Sequence, residues 1–370
     1  MKVLFDVTHP AHVHLFRPLA RRISEDGGEI LFVGRRKDVT VELLESFSLP
    51  FVIPTKIRSR AGWIGDAAEF TQRAWSLRRL IADWAPSVLL TRNPTGAVAG
   101  LWTRTWTVFD TDDGRTVGMH YWAARPFADV ITSSLHDPED HGPRHRRYRS
   151  LKALGFLNAL QFLPNQAARD HYGIPEGDLF VVRFSRHEAS HDRRISGIDA
   201  ATRAALLRML RPEGHVLVSE EGRGTLLFPS FGESSSGQDG VPVRPEDFHP
   251  LLADATLCVG DSQSVAAEAA VLGVPTVRLS GFTGRTFYLS LLEERYGLIR
   301  NLRPGEETAL LDAVRSILDD RSAARSRARG AAKTLSAESE DLVEWFIRLI
   351  TGLGGVEKRP FRQGGLPAAI

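Results

Sequence analysis

Apolar and polar positions alternate in blocks along the first 130 residues. Residues 3–7 (VLFDV) form a short, mostly apolar run, as a buried parallel strand does. A polar turn, Thr8-His9-Pro10-Ala11-His12, leads into Phe16, Leu19, Ala20 and Ile23 at helical spacing. Gly27-Gly28 stops that helix, and residues 29–33 (EILFV) read as a second strand. The same cycle predicts helices over 39–46 and 65–84 and strands over 51–53, 87–90, 105–109 and 129–132. Such alternation is the mark of a doubly wound α/β layer.

Residues 136–150 (HDPEDHGPRHRRYRS) break the rhythm with charge, Pro and Gly. A second α/β set then starts at 179–182 and predicts further strands over 215–218, 256–259 and 275–279. Its helices fall over 198–210, 262–273 and 305–319. Residues 222–245 are rich in Gly, Ser and Pro and read as a mobile loop region. A last helix is predicted over 338–350. The pattern is that of two Rossmann-like halves with a cleft between them. Ligands of such sheets sit beyond the C-terminal ends of strands, so the strand-to-helix turns are where chemistry is expected.

Composition narrows the classes. The chain has 370 residues, 42% hydrophobic and 25% charged, which is ordinary for a globular two-domain protein. A formal charge of +2 argues against a dedicated nucleic-acid binder, and no nucleic-acid partner is expected. Basic residues are 41 arginines against 6 lysines, and Arg suits phosphate and carboxylate groups. Cys258 is the single cysteine, which excludes disulfide frameworks and cysteine-based metal sites. No signal-peptide or membrane-spanning pattern is read, so a cytoplasmic protein is expected.

The sharpest stretch runs from Cys258 to Pro275 (CVGDSQSVAAEAAVLGVP). A strand ends at Gly260, a small polar turn follows, and an Ala-rich helix begins near Ser262. Free backbone N–H groups at that helix start would cradle a diphosphate, with Asp261, Ser262 and Ser264 alongside. Glu268, on the second turn, would accept from ribose hydroxyls. The same residues also fit a plain N-cap with a solvated Glu268, since neither G-x-G-x-x-G nor a P-loop is present.

Four stretches resemble one known family. FDVTHPAHVHLFRPLARRI with the following KDVTVELL, then PFADVITSS, FVVRFSRHEASHD and GDSQSVAAEAAVLGVPTVRLSGFTGRTFYLSLLEERYGLIRN look like the DUF354 family, in family order from residue 1 to about 302. That family is similar to GT-B glycosyltransferases and to non-hydrolysing UDP-N-acetylglucosamine 2-epimerases. The resemblance implies a GT-B-like fold. The A-x-E-A-A-x-x-G-x-P part also resembles the donor-nucleotide helix of MurG-type transferases, which implies that Glu268 holds a ribose. Pro245 to Leu252 (PEDFHPLL) resembles the loop beside the base, which implies a base-side place for His249; an ordinary helix start fits equally.

Further candidates cluster at other turns. His9, His12 and His14 crowd the first strand-to-helix turn, where a neutral imidazole could take a proton from an acceptor hydroxyl. His14 matches the family's x-V-H-F pattern and is the first choice for that role, His12 the second; packing or helix capping fits at least one of the three. Metal binding is not expected, because carboxylates are not clustered nearby and GT-B enzymes as a class need no metal. Arg183 and Ser185 end the first strand of the second half, within reach of phosphate oxygens. Ser190-His191-Asp192 is not read as a triad, since contiguous residues rarely converge on one atom. Ser219 ends another strand on the ligand side. Asp110-Thr111-Asp112 forms a D-x-D, expected in a turn or against an acceptor rather than on a metal.

Basic and aromatic residues interleave at Arg58, Arg60, Trp63, Arg73, Trp75, Arg78, Arg79 and Trp84, with a second basic run over 144–149. They fit a solvated helix face with buried tryptophans, or a peripheral contact at the inner face of a membrane. The expected organisation is an acceptor domain over 1–165 and a nucleotide-sugar domain over 175–335. A helix over 336–352 would return to the first, and 353–370 would be a flexible tail. The expected activity is glycosyl transfer from a nucleoside-diphosphate sugar to a glycan or lipid-linked acceptor, in cell-surface polysaccharide or glycolipid assembly, without cofactor. A 2-epimerase ranks second, because Val7-Thr8-His9-Pro10-Ala11 stands where epimerases carry G-T-R-P-E. A non-catalytic nucleotide-sugar-binding protein is the third reading.

Overall fold

The first apolar run becomes strand β1 (Lys2–Asp6) of a computed structural model. The structure describes residues 1–36, 39–54, 63–112, 114, 119–160, 162, 166–185, 197–221, 224–228 and 240–358. The chain divides into two units, Met1–Phe156 with Glu340–Ile370, and Leu157–Ser339.

In the first unit β1 is followed by α1 (Pro10–Glu25), β2 (Glu29–Val33), α2 (Thr40–Ser46), β3 (Phe51–Val52), α3 (Trp63–Trp84), β4 (Val88–Thr91), α4 (Pro94–Gly100), β5 (Trp106–Asp110), α5 (Met119–Ala124), β6 (Val130–Ser134) and β7 (His145–Tyr148). The strands form one sheet in the order β3-β2-β1-β4-β5-β6-β7. Every pairing in it is parallel. Strands β4, β5 and β6 bury all their residues, as central strands covered on both faces must. The period of two sorts the core: Val3, Phe5, Val88 and Leu90 face α1, while Leu4 and Leu89 face Leu77 and Ile81 of α3.

The second unit holds α6 (Gln166–His171), β8 (Leu179–Phe184), α7 (Ala200–Leu210), β9 (His215–Glu220), β10 (Gly224–Phe228), β11 (Val241–Pro242), α8 (Phe248–Asp254), β12 (Leu257–Gly260), α9 (Gln263–Val271), β13 (Thr276–Leu279), α10 (Phe287–Glu294), β14 (Ile299–Leu302), α11 (Glu307–Asp319) and α12 (Arg321–Glu338). Its sheet runs β11-β10-β9-β8-β12-β13-β14. The pairings are parallel except those of β10 with β9 and with β11. The last helix, α13 (Leu342–Gly354), belongs to the first unit, where Phe346, Leu349, Ile350 and Leu353 pack in one core with Phe16 and Leu19 of α1.

Four expectations are revised. Residues 136–150, read as an interruption, contain β7; residues 222–245, read as loop, contain β10 and β11. The helix expected over 338–350 is found four residues later, over Leu342–Gly354, and Glu338 ends the preceding helix in the second unit. Residues 353–358, expected as the start of a flexible tail, are packed. Trp106 Nε1 donates to the Val356 carbonyl at 2.9 Å, and Lys358 Nζ donates to the Thr105 carbonyl at 2.9 Å and to Asp129 at 2.6 Å.

Each sheet has one place where the strand order reverses. It lies between β1 and β4 in the first unit and between β8 and β12 in the second. Neighbouring connections leave in opposite directions there, which opens a crevice at the C-terminal strand ends.

Candidate functional site

The C-terminal ends of β8 and β12 meet at Arg183 and Gly260, which are register partners. Gly260 has no room for a side chain: a Cβ there would collide with the Arg183 carbonyl oxygen. The turn beyond it is organised by Asp261, which is buried. Its carboxylate accepts from Ser185 N at 2.6 Å and from Ile198 N at 3.4 Å, with Arg203 Nη2 at 3.6 Å. Asp261 therefore ties the β8 and β12 turns together, and Ser185 is held by its backbone. Ser262 caps α9 by accepting from Val265 N at 3.4 Å, and Ser264 is exposed on the first turn. The start of α9 thus presents backbone donors and a helix dipole at the reversal point.

Glu268 sits on the second turn of α9, and His249 on α8. Their side chains, each 8% exposed, meet at 3.2 Å between His249 Nε2 and Glu268 Oε2. The imidazole N–H donates to the carboxylate and fixes its orientation. A carboxylate held in this way beside a helix N-terminus is suited to hydroxyl recognition. Cys258, beneath it on β12, is inert: burial, with the Glu268 charge nearby, pushes its thiol up to about 12.

Arg183 Nη1 donates to Ser219 Oγ at 2.7 Å, and Ser219 Oγ shares a hydrogen bond with Thr225 at 2.9 Å. Ser219 therefore steers Arg183 rather than standing alone as a ligand group. Residues 186–192, including Ser190-His191-Asp192, lie outside the described residues, as do Arg58 and Arg60. The register continues across the sheet: Ser219 on β9, Arg183 on β8, Gly260 on β12, Arg278 on β13 and Asn301 on β14 form one row. Arg278, which the sequence pattern did not single out, is wholly buried in that row.

In the first unit the three histidines part company. His9 caps α1, its Nδ1 accepting from Ala11 N at 3.2 Å. His12 Nδ1 accepts from Thr8 N at 3.3 Å. Burial, then Arg92, His9 and Lys152, push His12 well below the ordinary imidazole value. The ring is neutral with its proton on Nε2, and so presents a donor. His14, the expected first choice, is buried, stacked at 5.7 Å on Phe156 with Phe47 edge-on at 5.9 Å. Both rings enclose it among the buried residues of α1.

Asp110 and Asp112 enter a charge network. Arg92 bridges them, with Nη1 to Asp110 at 3.0 Å and Nη2 to Asp112, and Lys152 closes on Asp112. Thr132 and Tyr148 donate to the other Asp110 oxygen at 2.9 and 3.2 Å. Burial raises the Asp110 carboxyl. Burial works the same way on Asp112, but Arg92 and Lys152 outweigh it and hold that carboxyl well below the usual range. A second buried pair, Asp6 with Arg73, lies at the end of β1, supported by Thr91 Oγ1 at 2.8 Å. Sequence reasoning missed Arg92, Lys152, Asp6 and Arg73 as partners. Asp6 and Arg92 carry the linear signal of a charge at or just past a strand end; Arg73, in the middle of α3, and Lys152 carry none.

The basic and aromatic segments are partly surface, with Arg78, Arg79, Arg147 and Arg149 exposed. Arg73 is buried, Arg144 donates to the carbonyls of Ala128 at 2.6 Å and Arg125 at 3.1 Å, and Arg147 to that of Glu139 at 2.6 Å. Trp75 is exposed, with Arg79 over its ring at 4.8 Å. Among the described residues no helix is long and apolar enough to cross a membrane, and no group of three or more His, Cys, Asp or Glu is placed to hold a metal ion.

No family model matches the sequence, and no curated protein matches it. Solved structures do match its shape. The UDP-GlcNAc 2-epimerase of Methanocaldococcus jannaschii in complex with UDP-GlcNAc and UDP is similar at a TM-score of 0.63 and 14% identity, over 95% of this chain and 99% of that one. The UDP-GlcNAc 2-epimerase of Neisseria meningitidis bound to UDP-GlcNAc is similar at 0.61 and 12%, over 94% and 100%. The glycosyltransferase VinC in complex with DTDP is similar at 0.58 and 12%, over 96% and 100%. At these identities the likeness establishes the fold, which is α/β of the GT-B type.

Proposed function

We propose that this chain is a sugar-nucleotide enzyme, a GT-B glycosyltransferase of the DUF354 kind, whose second unit binds a nucleoside-diphosphate sugar. The observation that carries this reading is the buried His249–Glu268 pair beside the start of α9, at the reversal point of the second sheet. Glu268 would accept from the ribose hydroxyls, with His249 on the base side. The backbone donors after Gly260 and the Arg183 guanidinium would stabilise the leaving diphosphate. The nucleotides named with the structural neighbours, UDP-GlcNAc, UDP and DTDP, support the same ligand class. The acceptor would be a glycan or lipid-linked sugar of a cell-surface polymer.

The polar groups of the first unit bear on the reaction. His12 carries its proton on Nε2, so it would donate to an acceptor oxygen rather than take its proton. The epimerases among the structural neighbours favour a second reading, a 2-epimerase.

Incubation with uridine- and thymidine-diphosphate sugars, with and without glycan acceptors, followed by mass spectrometry, separates the readings. Acceptor-dependent release of diphosphate supports transfer. Change of the sugar without acceptor supports epimerisation, and binding with neither product supports a non-catalytic protein. Glu268→Gln is expected to weaken nucleotide binding about 30-fold, roughly 2 kcal/mol, with a melting temperature near that of the wild type. Unchanged affinity in that variant removes the ribose role.

A further inference from the structure

Arg278 lies on β13 at the strand's C-terminal end, one strand beyond Gly260 in the same row. It is 0% exposed, the largest side chain buried to that degree. Nη1 reaches Asn301 Oδ1 at 3.2 Å and Thr283 Oγ1 at 3.4 Å. Among the described residues Nε and Nη2 have no partner, and no other arginine buries a terminal guanidinium nitrogen without one. No salt bridge within 4.0 Å neutralises it among the described residues. Asp261 and Glu293 act on it only from beyond ion-pair distance; a buried cation without an ion-pair partner is costly, and an anion delivered to it recovers that cost.

The row shows which anion. Adjacent strands are about 4.8 Å apart, so Arg183 and Arg278 stand about 10 Å apart at their Cα atoms, with the bare Gly260 between them. Arg183 leans outward to Ser219 on β9, and Arg278 leans the other way to Asn301 on β14. The two guanidinium groups are thus drawn toward opposite ends of the row, which leaves Arg278 for a group beyond the diphosphate. The nucleoside end of the site is marked by His249 on α8, which packs against β8, whereas Arg278 lies on the side where α10 packs against β14. Beyond the diphosphate on that side comes the sugar.

We propose that Arg278 is a specificity residue that takes a carboxylate on the sugar, so that the ligand is a nucleoside-diphosphate uronate. This rests on the nucleotide-sugar reading above. The planar fork matches a carboxylate bidentately through Nε and Nη2. The turn at 280–286 lies over the guanidinium: Thr283 touches it, and Gly284 and Arg285 are exposed.

Calorimetry on the full chain with uridine and thymidine diphosphates, their glucose esters and their glucuronate esters tests this. The wild type is expected to bind a glucuronate ester at least about 10-fold more tightly than the matching glucose ester. Arg278→Met should erase the preference and leave the bare diphosphate within about twofold, and Arg278→Lys should keep part of it. Equal affinity for the two esters in the wild type overturns the proposal. So does an Arg278→Met variant that loses the bare diphosphate as strongly as the glucuronate. If Arg278→Met does not fold, the wild-type preference and Arg278→Lys decide. Failure of every diphosphate to bind overturns the nucleotide reading and this inference with it. Binding of the diphosphate with no glucuronate preference overturns this inference alone.

Discussion

The two reversal points share a topology and treat charge in opposite ways. In the first unit the strand ends carry Asp6 with Arg73, and Arg92 with Asp110, Asp112 and Lys152. Each carboxylate there is matched by at least one cation, and Asp6 and Asp110 by hydroxyl donors as well. In the second unit the corresponding row holds a glycine between two arginines, one of them without an ion pair within 4.0 Å among the described residues. A closed network fixes local geometry, whereas an open one stores attraction for a ligand. The same crevice can thus serve as a rigid polar floor in one unit and as an anion seat in the other.

Removing a cation should therefore have opposite consequences in the two places. Arg73→Met leaves Asp6 wholly buried beside a threonine, and a loss of about 3–5 kcal/mol is expected, as for one partner of any buried pair. The guanidinium of Arg73 also supports the Gly34 carbonyl at 3.1 Å, which adds to the effect. Thermal or urea unfolding measures it directly. A melting curve for Arg73→Met that overlays the wild type would erase the contrast. Arg278→Met, which removes an unmatched charge, is expected in the same assay to melt at or above the wild-type temperature.

The next test concerns the glycine that keeps the second row open. Gly260→Ala places a methyl group against the Arg183 carbonyl, an atom of the sheet backbone that cannot swing aside. The β8–β12 pairing must shift, at a cost of about 1–3 kcal/mol. Nucleotide affinity should fall with it, because Asp261 and the start of α9 move with the strand end. Stability and affinity both equal to wild type would show that the close approach of the two strand ends does not matter.

How much of this was readable in the chain depended on whether a feature is local. Strand β2 is found residue for residue over 29–33, since a short apolar run between Gly-Gly and a polar turn has few other solutions. The turn at 260–264 was legible because strand, small residues and helix follow without interruption. Helix α12 was not: its buried stripe is Ala324, Ala328, Ala332 and Leu335, and alanine carries too little hydropathy to stand out among arginines. Strand β7 was hidden by its sequence, HRRY, which reads as a charged loop until Tyr148 is seen buried against Asp110. Arg92, Asp110, Asp112 and Lys152 are spread over 60 residues, and Arg278 gains meaning only from knowing which strands flank β13. Local chemistry is written in the order of residues; its partners are written in the order of strands.

The smallest expected effect is a pH dependence rooted in a further polar cluster of the first unit, around His145. His145 Nε2 meets Ser133 Oγ at 2.8 Å, and its Nδ1 accepts from the backbone N–H of His141 at 3.3 Å. Burial, then His141 and Arg147, lower its pKa to about 4. In the unfolded chain the same ring titrates at its ordinary value near 6.5. Between those two values the unfolded state binds a proton that the folded state refuses, so stability falls as pH drops from 6.5 toward 4. His12 is shifted in the same direction and adds to the slope. A fall in melting temperature of about 5 °C across this window is expected from such groups. His145→Gln, which keeps a donor and an acceptor but cannot take the proton, should flatten part of it. Parallel pH profiles for variant and wild type would mean that the ring is free to protonate in the folded protein, and that this cluster is less closed than its hydrogen bonds indicate.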